Sequence, residues 1–280
     1  MPSCACSNPE PAAAHRKAPP GIRLLILFSW LLAASSLARA DATERWKSVD
    51  YLVDAFIDIA LGNEYEDKPG QLRKWTTPIR YVLIHHVGDR DLHERLVATQ
   101  MNHLAELSGL DIGPAADSAT ANFLIVLSGE SRLRDDLQRY FGWNSATQRE
   151  KFFRETVCLG VMRARRGQLV RGVVIIPVDR ARARGKLVAC VVEELTQLLG
   201  LPNDSDHVFP SIFNDRSTDE FLSPLDIVLL RMLYDPRLKA GMNPATVRPL
   251  ARQIATELIR AGGIGQAEQA AHGGLSAFIP

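Results

Sequence analysis

One helical segment, residues 187–199, constrains the fold of this chain more than any other. It reads LVACVVEELTQLL, and Gly200 ends it. At about 100° per residue, its apolar side chains share one face and its polar side chains share the other. The apolar face holds Val188, Val191, Val192, Leu195, Leu198 and Leu199, and the polar face holds Cys190, Glu193, Glu194 and Gln197. We expect a core helix with a polar cluster, which Asn203 and Asp204 approach after the turn at Gly200.

Elsewhere the apolar spacing alternates between helical and strand periods, which predicts one mixed α/β domain. Helices are predicted over 49–61, 92–107, 222–234 and 244–260, and one or two helices broken near Gly142 over 132–154. Strands are predicted over 79–85, 122–127 and 169–178, with another around 157–162. Pro177 indicates that the strand 169–178 ends there or lies at a sheet edge. We expect it to be the edge strand.

The first 40 residues have the order of a cleavable signal peptide. Basic residues precede an apolar run over 24–37, and Ala38-Arg39-Ala40 follows as an A-x-A cleavage signal. The run has roughly 14 residues, fewer than the ~20 that cross a bilayer core. We therefore expect cleavage near Ala40, a periplasmic or secreted mature chain, and no transmembrane segment in it.

This reading divides the chain into four parts. A helical extension over 41–74 follows the signal peptide 1–40 and packs on the main domain, 75–242. A C-terminal helix and a flexible Gly/Ala-rich tail occupy 243–280.

Two cysteines lie beyond the signal peptide, Cys158 and Cys190. An even pair in an oxidising compartment predicts a disulfide bond. Two buried thiols, or a reactive or metal-binding thiol, are the alternatives. The bridge would be worth roughly 3 to 4 kcal/mol in the chain-entropy model.

The charge balance argues against nucleic acid as a partner. The chain has 33 basic and 32 acidic residues, so no general field attracts a polyanion or an anionic membrane. The local clusters Arg163, Arg165, Arg166 and Arg180, Arg182, Arg184 are interpreted as solvated loop and edge charges.

The helix and the turn after it resemble the metzincin clan of zinc metalloproteases, whose motif is H-E-x-x-H-x-x-G-x-x-H/D. The segment 193–203 reads EELTQLLGLPN, and the likeness extends over about 75–234. It implies a zincin-type fold, in which a twisted mixed sheet lies over this helix. It also implies a cleft between the edge strand and the polar face of the helix.

The chain taken whole is also similar to a family of exported bacterial proteins known only as a domain of unknown function. The segments 203–205, 211–215 and 234–237, which precede Gly241-Met242, carry this second likeness. It implies export and the extent of the domain, and no activity.

The ligand positions depart from the metzincin motif. A catalytic zinc needs three strong ligands, usually imidazoles, but these positions hold Glu193, Gln197 and Asn203. Amide oxygens suit hard cations and hold zinc poorly. Phe213 replaces the methionine of the Met-turn. We therefore expect no metal and no cofactor, with a weakly bound calcium or magnesium ion as the alternative.

These departures favour a non-catalytic, pseudoenzyme-like binding protein of the cell envelope. Glu193, Gln197, Asn203 and Asp204 are its candidate cleft residues, and an extended peptide or envelope protein is its expected partner. The rival hypothesis is an atypical hydrolase or peptidase in which Glu194 is the general base, with a non-histidine metal site or no metal. A structural envelope protein without a functional cleft is a third reading. Asp204, Asp206 and His207 could supply replacement metal ligands, but they are interpreted as a solvated loop, and the remaining histidines are interpreted as surface or core residues.

Overall fold

The computed structural model describes residues 44–62, 70–143, 145 and 156–278. The predicted signal peptide and cleavage site lie outside these residues, as does most of the second half of the helical segment predicted over 132–154. Among the residues described, no helix combines the length and the apolar composition needed to cross a membrane.

A five-stranded mixed sheet organises the domain, in the order β2-β1-β3-β5-β4. Its strands are β1 (Ile79–His85), β2 (Ile112–Pro114), β3 (Phe123–Ser128), β4 (Leu159–Arg165) and β5 (Gln168–Pro177). β2, β1, β3 and β5 are parallel, whereas β4 is antiparallel to β5 and lies at the edge. Positive φ angles at Arg166 and Gly167 close the β4–β5 hairpin, as a two-residue type I′ turn requires.

Eight α-helices accompany the sheet in the described residues. They are α1 (Val49–Leu61), α2 (Arg90–Ser108), α3 (Leu133–Asp136), α4 (Val178–Ala183), α5 (Leu187–Gln197), α6 (Pro224–Tyr234), α7 (Pro244–Arg260) and α8 (Gly263–Ala270). Local signals define their ends. Ser48 and Asn243 cap α1 and α7 with their side chains, and Gly109 ends α2 in the left-handed conformation.

The two faces of the sheet are buried in different ways. Phe123, Ile125, Leu127, Val174 and Ile176 belong to the main core, shared with α1, α2, α5, α6 and α7. Alternate residues of the same strands, including Leu124, Val126, Val173 and Ile175, belong to a smaller core that Leu133 and Leu137 cover. Because both faces are buried, β3 and β5 are almost continuously apolar.

The helices and strands predicted within the described residues are found with small shifts of their ends. The edge-strand prediction is wrong, since β5 pairs with both β3 and β4 and lies inside the sheet. Pro177 is tolerated there because it is the last residue of β5, where one missing N–H interrupts no further pairing. The edge strand is β4.

The C-terminal segment also differs from the expected flexible tail. It forms α8 and a 3₁₀ turn over Gly274–Phe278. Ala267 and Leu275 are buried in the main core. Small residues allow α8 to approach α6 and α7 closely, which the composition alone did not indicate.

Candidate binding site at the edge strand and helix α5

Helix α5 ends at a turn that only glycine can make. Gly200 has a φ of 118°, and a Cβ there would lie 2.1 Å from the carbonyl oxygen of Arg73. The segment before β1 therefore packs directly on the end of α5. This contact brings Trp75 to the last carbonyl groups of the helix turn.

Two aromatic side chains satisfy those carbonyl groups. The indole Nε1 of Trp75 donates to the Leu198 oxygen at 2.8 Å, and the Tyr234 hydroxyl donates to the Leu199 oxygen at 2.7 Å. The Tyr234 oxygen also accepts from the backbone N–H of Trp75 at 3.3 Å. Unpaired carbonyls at a buried helix end are costly, so these bonds fix the position of α5 relative to α6.

Lys74 is a buried charged residue that the sequence analysis did not identify. Its Nζ donates to the carbonyl oxygens of Leu233 at 2.7 Å and Leu238 at 3.0 Å, beside the ring of Tyr234. Burial, reinforced by the nearby charge of Lys239, lowers the pKa of Lys74 to about 8. A lysine next to Trp75 was the only signal in the sequence. Lys74 stabilises the end of α6.

Glu194, the candidate general base, lies beneath the edge strand. It is 6% exposed, and a Cβ at Gly160 of β4 would stand 2.8 Å from its Oε2. Leu198, on the same side of α5, lies 3.2 Å from the same point. The absence of a side chain at position 160 thus makes room for the carboxylate between α5 and β4.

The other predicted cleft residues form two separate groups. Gln197 donates to Asp204 at 2.6 Å, which joins α5 to the turn that follows it. Asn203 instead donates to the carbonyl oxygen of Asp58 at the end of α1, at 3.1 Å. The Asp58 carboxylate in turn accepts from Ser205. Asn203 is therefore hydrogen-bonded to α1. Glu193 is half-buried on α5, one helical turn before Gln197.

The predicted disulfide is present and joins the two elements of the site. Cys158 immediately precedes β4, and Cys190 lies in the first turns of α5. Their Cα atoms are 5.8 Å apart, a distance typical of disulfides. The bridge anchors the beginning of the edge strand to the helix beneath it.

The structure does not assemble the acidic residues of this region into a metal centre. Across the described residues, no group of three or more His, Cys, Asp or Glu side chains is placed to hold a metal ion. Asp206, a possible replacement ligand after the turn, pairs with Arg216 at 2.6 Å. Ser205 Oγ accepts from the backbone N–H of His207, and the His207 carbonyl accepts from Tyr51.

A second polar cluster, missed by the sequence analysis, lies where β1 and β3 end. The buried Asp136 carboxylate accepts from Ser128 at 2.6 Å and lies 2.9 Å from His86 Nδ1. His86 follows β1, and Ser128 is the last residue of β3. In the sequence, the available signal for this cluster was that each of two apolar runs ends at a polar residue. Asp136 orients the His86 ring and ties α3 to the sheet.

Two further histidines stack on the other face of the sheet. The rings of His85 and His93 are 5.9 Å apart between centroids and nearly parallel. Burial lowers the pKa of both, and the positive charges of Arg90 near His85 and Arg182 near His93 act in the same direction. His93 is buried and His85 is half-buried, in line with the interpretation of the histidines as surface or core residues.

Comparison with known proteins identifies a family and no activity. Residues 49–253 match the model of the family described as "Protein of unknown function (DUF2927)". No curated protein matches the chain significantly. No solved structure matches it significantly either.

Proposed function

Since this chain belongs to the DUF2927 family of proteins of unknown function, we propose that it is a non-catalytic binding protein of the cell envelope. Its binding site is the open edge of β4 above α5, where it captures an extended peptide by strand addition. Export rests on the sequence of the first 40 residues. The ligand positions Glu193, Gln197 and Asn203 support the non-catalytic reading, because they lack the imidazoles of a zinc site.

The observation that carries the proposal is the position of β4. Among the described residues its one partner strand is β5, so its other edge offers backbone N–H and C=O groups. The residues from Leu159 to Met162 are half-buried, and those from Arg163 to Arg165 are exposed. An extended peptide can pair with such an edge through its main chain, and alternate side chains then supply specificity.

Two features make β4 a fixed template. The Cys158–Cys190 disulfide holds its beginning on α5, and the type I′ turn at Arg166 and Gly167 holds its end. A pre-ordered edge loses little conformational entropy when a peptide binds. An antiparallel edge strand lies above the polar face of α5, and this arrangement also supports the zincin-like cleft that the motif resemblance implies.

Amide hydrogen exchange tests strand addition directly. The probe is a short peptide of alternating valine and threonine, added in excess to the full chain. We expect slower exchange of the amides of 159–165, since pairing removes them from water. Protection confined to other segments, or no protection with any peptide of a strand-forming library, would refute the proposal.

A pair of variants tests the contribution of α5. We expect Glu193→Ala with Gln197→Ala to weaken peptide binding, because both side chains are half-buried on the polar face of the helix that packs under β4. Glu106→Ala with Gln266→Ala makes the same change at exposed positions on α2 and α8 and should leave binding unchanged. Equal peptide binding by the two double variants would show that these α5 side chains do not contribute to the site.

One observation favours a second function, hydrolysis. Glu194 is a buried carboxylate directly beneath β4, beside which a peptide would lie, and this position makes it the candidate general base. A hydrolase should cleave peptides in the presence of added divalent metals and lose this activity in Glu194→Gln. Absence of cleavage across a broad peptide library would leave binding as the function.

A further inference from the structure

The tip of the β4–β5 hairpin carries arginines that have no acidic partner among the described residues. Arg163 and Arg165 lie on β4, Arg166 lies in the turn and Arg171 lies on β5, and all are exposed. Within the described part of the chain, no carboxylate pairs with any of them. By contrast, several arginines elsewhere in the described chain form ion pairs, namely Arg80, Arg180, Arg182, Arg216, Arg237, Arg248 and Arg252. The hairpin tip is therefore a local positive patch on a nearly neutral chain.

Strand register brings these charges together. Arg163 pairs directly with Arg171 across the ladder, and like charges in that position repel. Between the pairs Arg163–Arg171 and Ala164–Leu169 the register shifts, so Val170 is an extra residue on β5. This bulge leaves Val170 41% exposed among the arginines. Arg163, Ala164, Arg165, Val170 and Arg171 together line a shallow depression of about 660 Å³.

We propose that this patch, which we call the arginine tip, selects acidic peptides for the edge strand. The inference rests on the proposed function, because the peptide must pair with β4. Arg163 and Arg165 are two residues apart on one strand and face the same side of the sheet. A strand added beside β4 places its own alternate side chains next to them. The preferred ligand thus has carboxylates at positions i and i+2, with an apolar residue able to reach Val170.

An extended peptide fits this surface better than other polyanions. Nucleic acid and lipid head groups can meet the arginines, but they have no main-chain groups that pair with a strand edge. The arginine tip continues directly from the half-buried part of β4. One extended peptide can therefore contact the arginines and pair with the edge of β4 at the same time.

Fluorescence anisotropy with matched peptides tests the inference. One peptide alternates valine with glutamate, and its control has glutamine in place of every glutamate. We expect the glutamate peptide to bind the full chain roughly five-fold more tightly. The preference should shrink as salt is added, since exposed ion pairs are screened.

Variants assign the preference to the arginine tip. Arg163→Gln with Arg165→Gln should abolish the difference between the two peptides and leave the weaker glutamine peptide unaffected. Arg184→Gln with Arg260→Gln removes the same charge from exposed positions on other elements and should retain the preference. Unfolding midpoints establish that both double variants are folded. The first variant relieves the repulsion with Arg171, so its midpoint should not fall.

The outcomes separate the two proposals. Equal affinity for both peptides, with β4 protected from exchange, would overturn the acidic preference and leave strand addition standing. Failure of both peptides to bind would overturn strand addition. Single-stranded DNA that binds as tightly as the glutamate peptide, and with the same loss in Arg163→Gln with Arg165→Gln, would overturn the assignment to a peptide.

Discussion

Glu194 and Gly160 define the contact between helix α5 and the edge strand. The Glu194 Oε2 lies so close to Gly160 that an added Cβ would stand 2.8 Å from it and 3.2 Å from the Leu198 side chain. A buried carboxylate thus lies where a strand residue would normally place its side chain. The edge strand can remain flat against α5 only while position 160 has no side chain.

Gly160→Ala should therefore destabilise the protein by about 1–3 kcal/mol, because the new methyl group overpacks a buried contact. Gly113→Ala is the matched control on β2, where the nearest atom to an added Cβ is 3.9 Å away. The control should change stability by less than about 1 kcal/mol. Urea unfolding midpoints measure both effects. An equal response of the two variants would show that Glu194 does not fill the space beneath Gly160.

Tyr234→Phe should cost about 1–3 kcal/mol, because it leaves the Leu199 carbonyl unpaired at a buried helix end. The hydroxyl donates to that carbonyl at 2.7 Å and accepts from Trp75 N at 3.3 Å. Tyr140→Phe is the control, since Tyr140 is half-buried and its hydroxyl has no hydrogen-bond partner in the described structure. Comparable loss of thermal stability in both variants would contradict the capping role.

Asp226 should make stability depend on pH in a defined direction. Burial raises its pKa from 3.8 to about 6, although hydrogen bonds from Ser211, Ile212 and Ser223 oppose the shift. Because the pKa of Asp226 is higher in the folded protein than in the unfolded chain, protonation of this carboxyl stabilises the fold. This stabilisation is complete below about pH 4. It is lost as the pH rises through about 6, and the difference between the two pKa values corresponds to about 3 kcal/mol.

Asp226→Asn tests that direction and cancels the contributions of other groups. The free energy of unfolding is measured for both proteins at pH 4 and at pH 7. Relative to the variant, the wild type should be more stable at pH 4 than at pH 7 by up to about 3 kcal/mol. A relative stability that is the same at both pH values, or that rises with pH, would mean that Asp226 titrates near or below its ordinary value.

The disulfide should contribute roughly 3 to 4 kcal/mol through the unfolded state. Its cysteines are 32 residues apart in the sequence. Cys158→Ala with Cys190→Ala should lower the urea midpoint to about that of the reduced wild type, and added reductant should not lower the variant further. A wild-type midpoint that is insensitive to reductant would contradict a stabilising bridge.

Local sequence patterns predicted most elements of this fold. Residues 49–61 form α1 with the expected bounds, and Gly200 makes the expected turn after α5. The pairing of Cys158 with Cys190 was also predictable, because only one pair of cysteines lies beyond the predicted signal peptide. The signal for a helix or a turn lies within a few residues, and the signal for the disulfide is the even number of cysteines. Neither prediction needs knowledge of distant contacts.

Only the tertiary structure decided which strand is the edge and where the polar residues of α5 point. β5 and β4 carry similar local signals, and their order depends on pairing with β3, a distant strand. Glu194 lies on the predicted polar face of its helix, yet β4 packs over it and buries it. The partners of Asn203 on α1 and of Asp136 on two strands likewise depend on how distant segments meet. The helical or strand period of the sequence predicts on which face of its own element a side chain lies. The burial and hydrogen bonding of that side chain depend on which other elements pack against this face.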